Sequence, residues 1–294
     1  MKNEFIRCAC RSFYDLQKLR IQSGNRITAA FRIKLGLESS EAEENNEEAS
    51  ELLKELRLEF KRITDGVKRI TRNIKIDSPL ITSMSELSLI EAYERQLEAE
   101  AIHEKAILAE LRGERIWNEF LLGVRGVGPL MGGVILSEID ITKCNSISAL
   151  WAYCGLDVVV TTDEKTGEIK EEGRSKKAHH LKPKTYTDRE GEVKETVGIT
   201  FNPFLKTKMI GVLGTSFLRS GGSYKDIYDG YKNRLQNHPK HKDKTKLHKH
   251  NMAVRYMIKE FLADLWTKWR EIEGLPVRSR YAEEKLGIVH SKAA

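Results

Sequence analysis

The sequence has few cysteines and no long apolar run, and both absences narrow the class of protein. No stretch approaches the roughly 18 apolar residues of a membrane helix, and the charged N-terminus lacks the apolar core of a signal peptide. The spacing of the cysteines matches neither a zinc site nor the disulfide framework of a small secreted domain. We therefore expect reduced thiols, a soluble cytoplasmic protein and no membrane partner. The four cysteines are Cys8, Cys10, Cys144 and Cys154.

Charge is spread unevenly along the 294 residues, although the net charge is only +7. Residues 38–59 contain nine Glu and only two basic residues. Residues 170–255 contain 20 Lys and Arg against 9 Asp and Glu. Because a polyanion is attracted to the second segment and repelled by the first, we expect any nucleic acid to meet the basic segment.

The first part of the chain has the periodicity of helices. Residues 1–36 predict one or two helices, broken near Ser23-Gly24-Asn25. Residues 37–115 predict an acidic linker followed by an antiparallel coiled-coil hairpin, because apolar residues recur every three and four positions from Leu53 to Ile74 and a second helix begins near Ser85. This seam predicts either a hairpin that closes on itself or a homo-oligomer through residues 53–112; both remain open.

The pattern changes after residue 115. Residues 116–275 predict a helical domain with a β insertion at 157–200, where two stretches of alternating residues turn at Asp163 to Gly167 and at Asp188 to Gly191. Helices are predicted again over residues 203–219, 223–236 and 247–273, and residues 276–294 form a C-terminal tail. The predicted fold class is mainly α: N-terminal helices and a long helical hairpin, then a helix-hairpin-helix domain with a small β-hairpin insertion.

The stretch FLLGVRGVGPLMGGVILSEI, which begins at Phe120, has the chemistry of a helix-hairpin-helix. Glycines permit the tight turn, and Pro129 suits the first position of the following helix. The N–H groups at that helix start, with the positive end of the helix dipole, form a site for a phosphate. The alternative is an ordinary turn between two core helices. The predicted DNA-binding residues of the hairpin are Arg125, Gly126, Val127 and Gly128.

This hairpin, followed by SALWAYCGLDV, resembles the C-terminal domain of the DEDD-type, RNA-bridged insertion-sequence transposases. The family motif reads Leu-x-Glu, then Tyr-x-Gly-Leu, and here it begins at Leu136 and Tyr153. The stretch FNPFLKTKMIGVLGTSFLRS resembles a basic helix of the family, which places Lys206 and Lys208 in its DNA-binding positions. The resemblance covers roughly residues 116–275. It implies DNA transposition or recombination with a serine nucleophile, DNA and a structured RNA as partners, and an N-terminal acidic nuclease domain that this sequence lacks.

The basic loop GRSKKAHH offers the candidate for that serine. Ser175 follows the Tyr-x-Gly-Leu motif, and Thr166 is the second choice. Neighbouring cations would favour an alkoxide and stabilise charge on phosphate, and His179 or His180 could act as general base. The alternative is a basic loop whose serine only contacts phosphate. The cations predicted to bind DNA here are Arg174, Lys176 and Lys177.

A second basic loop, HPKHKDKTKLHKH, carries Lys244 and Lys246, also predicted to bind DNA. Its histidines, His238, His241, His248 and His250, could suggest zinc. Contact with phosphate is the better interpretation, since no cysteine joins them and the lysines would repel a cation.

These features predict a transposase-like DNA-binding protein of a mobile element. No metal site and no certain cofactor are expected, and magnesium would enter only with an acidic domain on a partner. The alternatives are a non-catalytic accessory protein that binds nucleic acid and a coiled-coil scaffold.

Overall fold

A computed structural model of the chain describes residues 4–37, 42–67, 69–71, 73–162, 167 and 169–278. The chain divides into two compact units, residues 4–108 and residues 109 onward. The described residues are mainly helical and include two separate antiparallel two-stranded hairpins. The predicted fold class is confirmed. Among the described helices, none combines the length and the apolar composition needed to cross a bilayer.

The unit of residues 4–108 contains three long helices: α1 (Glu4–Lys34), α2 (Ala42–Thr64) and α3 (Met84–Leu111, which ends just beyond the unit). The predicted break in α1 near Gly24 is wrong, because α1 is one continuous helix. A Cβ atom on Gly24 would lie 3.1 Å from the ring of Tyr93. Gly24 therefore allows α1 to pack closely against a neighbouring helix, and the helix tolerates its weak intrinsic propensity.

The predicted heptad helix is correct only in its first half. α2 ends at Thr64, and Gly66 adopts a φ of +69°, a left-handed conformation that commonly terminates a helix. Ile70 and Ile74 lie beyond this end, yet they still pack against the same apolar core. The prediction of a helix through Ile74 is therefore wrong, because burial requires an apolar side chain at the right place and not a helical backbone.

The seam of α2 is used inside the unit. Leu56 is fully buried with residues of α1, α3 and the intervening segment. Leu53, Phe60 and Ile63 pack against the same cluster. The closed intramolecular arrangement accounts for the apolar spacing by itself, and self-association through residues 53–112 stays a prediction. The buried members of the cluster are Ile27, Phe31, Leu52, Leu56, Ile81, Leu87, Ile90 and Tyr93.

The unit from residue 109 onward contains one long helix, α10, with many buried residues. Its buried residues recur at helical spacing on more than one face, as expected of a helix surrounded by others. The helices of this unit are α4 (Arg115–Glu119), α5 (Pro129–Glu138), α6 (Ile147–Tyr153), α7 (Pro203–Thr207), α8 (Gly214–Ser220), α9 (Ser223–Asn237) and α10 (Lys246–Ile272).

A π-helical segment, Lys208–Leu213, joins α7 to α8. The sequence predicts one uninterrupted helix over residues 203–219, so the extra residue per turn is a finding of the structure. The wider turn changes the phase of α8 relative to α7.

Two hairpins occupy the predicted β insertion and confirm it. Strand β1 (Val158–Thr162) pairs with β2 (Ile169–Gly173), and β3 (Lys182–Thr187) pairs with β4 (Val193–Gly198). The second turn is closed by the N–H of Asp188, which donates to the carbonyl of Glu192 at 2.9 Å. Residues 163–166 of the first predicted turn lie outside the described residues.

The observed division of the chain differs from the predicted segments. The sequence pattern predicts residues 1–36 and residues 37–115 as two separate segments. In the structure, α1, α2 and most of α3 form one unit. Of the predicted tail at 276–294, only residues up to 278 are described.

Candidate nucleic-acid interface

The helix-hairpin-helix forms where the glycines predict it. After α4 the chain makes one 3-10 turn, Leu121–Gly123, and then reverses before α5 begins at Pro129. The N–H of Val127 donates to the carbonyl of Val124 at 3.0 Å, which closes the turn. Gly126 adopts a φ of +97°, a conformation that a side chain disfavours.

Gly126 faces the protein and not a ligand. Ser216 of α8 donates its hydroxyl proton to the carbonyl of Gly126 at 2.7 Å. A Cβ atom on Gly126 would lie 2.8 Å from a ring carbon of the fully buried Phe217. This glycine therefore fastens the hairpin to α8, and its contribution to a binding site is to hold the turn in place.

Gly128 differs from Gly126, because it is exposed and a Cβ atom there would meet open space. It is the N-cap residue of α5, and no side chain caps the helix. The first N–H groups of a helix have no acceptor within the helix, so the start of α5 presents donors and a positive dipole end beside an exposed glycine. Arg125 is also exposed, and its aliphatic part lies against Gly222.

The interior of the hairpin is packed closely, as its small residues predict. A Cβ atom on Gly132 would lie 2.5 Å from the Trp117 ring, so a side chain at residue 132 would clash with α4. Val127 is buried. Its side chain therefore belongs to the core, and only its backbone is available to a ligand.

Ser175 lies in a hydrogen-bonded arrangement with His180. The Oγ atom of Ser175 is 2.8 Å from Nδ1 of His180, and the N–H of Ser175 donates to the same nitrogen at 3.0 Å. Because Nδ1 accepts the backbone N–H, a neutral His180 ring would carry its proton on Nε2. Nε2 lies 3.6 Å from a carboxylate oxygen of Glu172, and the His180 side chain is fully buried.

Ser175 and His180 are therefore hydrogen-bonded, and the imidazole is placed to accept the hydroxyl proton. The Glu172 carboxylate lies beyond the opposite ring nitrogen at a distance longer than a hydrogen bond. The sequence pattern predicts Ser175 and both histidines as candidates, but it does not point to Glu172. The side chain of His179 and all of Thr166 lie outside the described part of the structure.

The cations flanking Ser175 differ in their availability. Arg174 is paired with Asp157, with contacts of 2.7–2.8 Å, and also donates to the hydroxyl of Thr200. The Asp157 carboxylate raises the pKa of Arg174. Arg174 therefore joins the base of the first hairpin to the end of the second, and this structural role was not predicted.

Of the other two predicted cations, Lys177 pairs with Glu172 at 2.9 Å. Lys176 is exposed. Lys177 is exposed as well, so both lysines present charge to solvent, and their contact with DNA stays a prediction.

The two lysines of the α7 region lie against aromatic rings. Lys206 is 5.0 Å from the ring centre of Phe201 and donates to the carbonyl of Arg174. Burial, with repulsion from Arg255 and Arg174, lowers the pKa of Lys206. Lys208 lies over the ring of Phe204 at 5.3 Å. Such contacts with an aromatic face attract a cation and help to hold it in position.

The second basic loop is folded and not a bare chain. Its described part includes a 3-10 turn, Pro239–His241, and the capped start of α10, where the hydroxyl of Thr245 accepts from the N–H of His248. Lys246 is exposed, and Lys244 is partly covered with its amine 3.9 Å from the sulfur of Met252.

The histidines of this loop do not converge on one point. His250 bonds the hydroxyl of Tyr228 at 2.6 Å, while His238 and His241 pack ring against ring. Burial and the surrounding lysines lower the pKa of His241. Within the described residues, three potential ligand groups lie within 4.8 Å of one another at the β3–β4 turn instead: the largely exposed carboxylates of Asp188, Glu190 and Glu192, an arrangement that is common without a metal.

The Tyr-x-Gly-Leu motif connects elements. The hydroxyl of Tyr153 donates to the carbonyl of Glu138 at 2.8 Å, and Asn202 donates to the Glu138 carboxylate. Gly155 has a φ of +66°, and a Cβ there would lie 2.6 Å from the ring of Phe201. The residues that carry the family resemblance thus join the end of α5 to the start of α7.

Two cations that sequence analysis missed lie beside the Ser175 loop. Arg255 packs its guanidinium directly against Gly173, and Lys259 lies over the ring of Trp151 at 4.3 Å. Both are on α10, four residues apart, among buried apolar neighbours. The available signal was a pair of cations at helical spacing beside the apolar positions of α10.

Comparison of the chain with protein-family models, curated proteins and solved structures finds no match.

Proposed function

We propose that this chain binds DNA through the helix-hairpin-helix, as a transposase-like protein of a mobile element that acts in transposition or recombination. The observation that carries the proposal is the exposed start of α5. There an uncapped helix N-terminus, an exposed Gly128 and an exposed Arg125 lie together. Such a site holds a phosphate of the backbone and reads no base.

The packing of the hairpin supports this interpretation. Gly126 and Gly132 are required by their neighbours within the protein, whereas nothing near Gly128 demands a missing side chain. The missing side chain does leave the helix start open to a bulky anion. Exposed cations elsewhere in the same unit, Lys176 and Lys246, would add contacts that depend on salt.

Two variants of Gly128, one charged and one uncharged but of similar shape, test whether the start of α5 binds a phosphate. Aspartate is a favoured N-cap residue, so Gly128→Asp should leave α5 as stable or slightly more stable. Its carboxylate would repel a phosphate a few ångströms away by roughly 1–4 kcal/mol at effective dielectric constants of 20–80. In Gly128→Asn the new side chain has nearly the same shape as aspartate but carries no charge.

The measurement is the affinity for a short DNA duplex at several salt concentrations. We expect Gly128→Asp to lose about tenfold or more and Gly128→Asn to stay near the wild type, with both variants equally stable to urea. Equal affinity of the two variants would remove the hairpin from the interface. Wild-type protein without salt-dependent binding to DNA would favour the scaffold alternative.

A second candidate function, phosphodiester transesterification, is favoured by the arrangement around Ser175. The Oγ of Ser175 would attack phosphorus while its proton moves to Nδ1 of His180. The bond to the leaving-strand oxygen would break, and that oxygen would take a proton from water. Glu172 would stabilise the imidazolium. The product is a covalent protein–DNA adduct.

Ser175→Ala should abolish that adduct on a suicide substrate and leave duplex affinity within about threefold. Ser137→Ala is the control, because this helical hydroxyl donates to the carbonyl of Val134. The assay includes magnesium, a structured RNA and a partner acidic domain as added components, since the family resemblance implies them. If the wild type forms no adduct under any of these conditions, the protein is a non-catalytic DNA-binding accessory protein.

A further inference from the structure

Four cations come together where α7, α10 and the base of the first hairpin meet. Arg174, Lys206, Arg255 and Lys259 are all half-buried, and we call them the cation cluster. Lys206 donates to the carbonyl of Arg174. Arg255 is packed against Gly173, the residue before Arg174. Lys259 lies one helical turn along α10 from Arg255.

The acids nearby do not balance these charges. Asp157 is the acid that acts on every member of the cluster, and its carboxylate is already held by Arg174. Glu260 also acts on Lys259, with a smaller effect than Asp157. Among the described residues, no carboxylate comes within 4.0 Å of the cationic atoms of Lys206, Arg255 or Lys259.

The excess of positive charge disfavours the protonated forms of three of these side chains in the free protein. Burial comes first, and mutual repulsion second, among the effects that lower the pKa of Lys206 and Lys259, and burial lowers the pKa of Arg255. Cations moved partly out of water need an anion with several acceptor oxygens to regain what they lose.

We propose that Lys206, Arg255 and Lys259 form a phosphate-binding pocket beside Ser175, occupied by a phosphate of the nucleic-acid backbone. A phosphate offers several acceptor oxygens, which suits one planar guanidinium and two ammonium groups. The pocket lies next to the Ser175 loop because Lys206 holds the carbonyl that precedes Ser175. This inference rests on the proposed DNA-binding function, and it adds a second phosphate contact apart from the hairpin.

A stability measurement distinguishes a binding role of the cluster from a purely structural one, because the two roles predict opposite changes in melting temperature. If Lys259 serves only packing and folding, its replacement should destabilise the protein. If it is held in a repulsive cluster that awaits an anion, Lys259→Met should keep the contact with the Trp151 ring, relieve repulsion and leave the melting temperature unchanged or higher. Arg255→Gln is the second variant. Lys268→Met is the matched control, on the same helix but paired with Glu271 at the surface.

The experiment measures three quantities for each variant: the melting temperature, the binding of inorganic phosphate against chloride at matched ionic strength, and the affinity for a short duplex. We expect Lys259→Met and Arg255→Gln each to weaken duplex binding about tenfold. We also expect the slope of log affinity against log salt to become shallower by about 0.9, one phosphate's share. Phosphate should raise the melting temperature of the wild type and the control, but not of these variants.

The outcomes separate the two proposals. Unchanged binding of both phosphate and duplex in folded Lys259→Met and Arg255→Gln overturns the pocket. Binding of phosphate that depends on Lys259, without any effect on the duplex, overturns the assignment to a nucleic-acid backbone and leaves free phosphate as the ligand. If duplex binding responds to Gly128→Asp but not to Lys259→Met, the hairpin clamp stands and the pocket takes no part in duplex binding. The reverse result removes the hairpin and keeps the pocket.

Discussion

Replacing Gly126 by alanine measures how firmly the hairpin is fastened to α8. The change adds one methyl group at a residue whose φ is +97°. That methyl group would lie 2.7 Å from the hydroxyl of Ser220 and 2.8 Å from the Phe217 ring. Phe217 cannot move aside easily, because it is fully buried and its ring stacks on Tyr224 with ring centres 4.8 Å apart.

Two effects add up to the expected loss. A left-handed conformation costs an alanine about 1–2 kcal/mol relative to glycine. Overpacking of a filled core by a methyl group costs typically about 1–3 kcal/mol. We therefore expect Gly126→Ala to lower the free energy of unfolding by about 2–5 kcal/mol, a large part of the roughly 5–15 kcal/mol that a domain has.

The assay is urea denaturation followed by circular dichroism, with Gly128→Ala as the control. Gly128 has a φ of −94° and open space around it, so alanine there should change stability by less than about 1 kcal/mol. If Gly126→Ala is as stable as Gly128→Ala, the close contact with α8 and its energetic cost are refuted. For the same reason, weakened DNA binding in Gly126 variants reports on folding of the hairpin, and Gly128 is the residue that tests the clamp.

Three further predictions concern thiols, the Asp157 ion pair and the core of residues 4–108. Burial raises the pKa of Cys154, so a disulfide-exchange reagent should label the exposed Cys8 quickly and Cys154 only after unfolding. Labelling of Cys154 should accelerate little between pH 8 and 10, and rapid labelling in the folded protein would contradict its burial. Asp157→Asn removes the carboxylate partner of Arg174 and should lower the free energy of unfolding by about 1.5–3 kcal/mol in urea titration. The same change should strengthen phosphate binding in calorimetry, and weaker binding would argue against the cation cluster. Leu56→Asp should destabilise the unit of residues 4–108 by more than about 3 kcal/mol and unfold it. If sedimentation instead shows a dimeric wild type and a folded, monomeric variant, self-association is supported.

Most elements of the C-terminal unit could be predicted because their signals are local. Periodicity and capping residues place helices at 203–219, 223–236 and 247–273, close to the observed α7 to α10. Alternation around glycine-containing turns places the two hairpins. In the N-terminal unit the same approach was wrong at Gly24 and beyond Thr64. A glycine required for helix packing resembles a glycine that ends a helix, and apolar residues of an extended segment resemble a heptad.

The sequence by itself determined the hairpin at residues 123–129 and the proximity of Ser175 to His180, since five residues of chain bring these two groups together. Only the tertiary structure decided that Gly126 faces α8 and Gly128 faces solvent, because neighbours distant in sequence distinguish them. It also decided that Arg174 is held by Asp157, and that Arg255 and Lys259 lie beside the Ser175 loop. Packing of α10 joins groups some eighty residues apart, and no local pattern records which charges meet there.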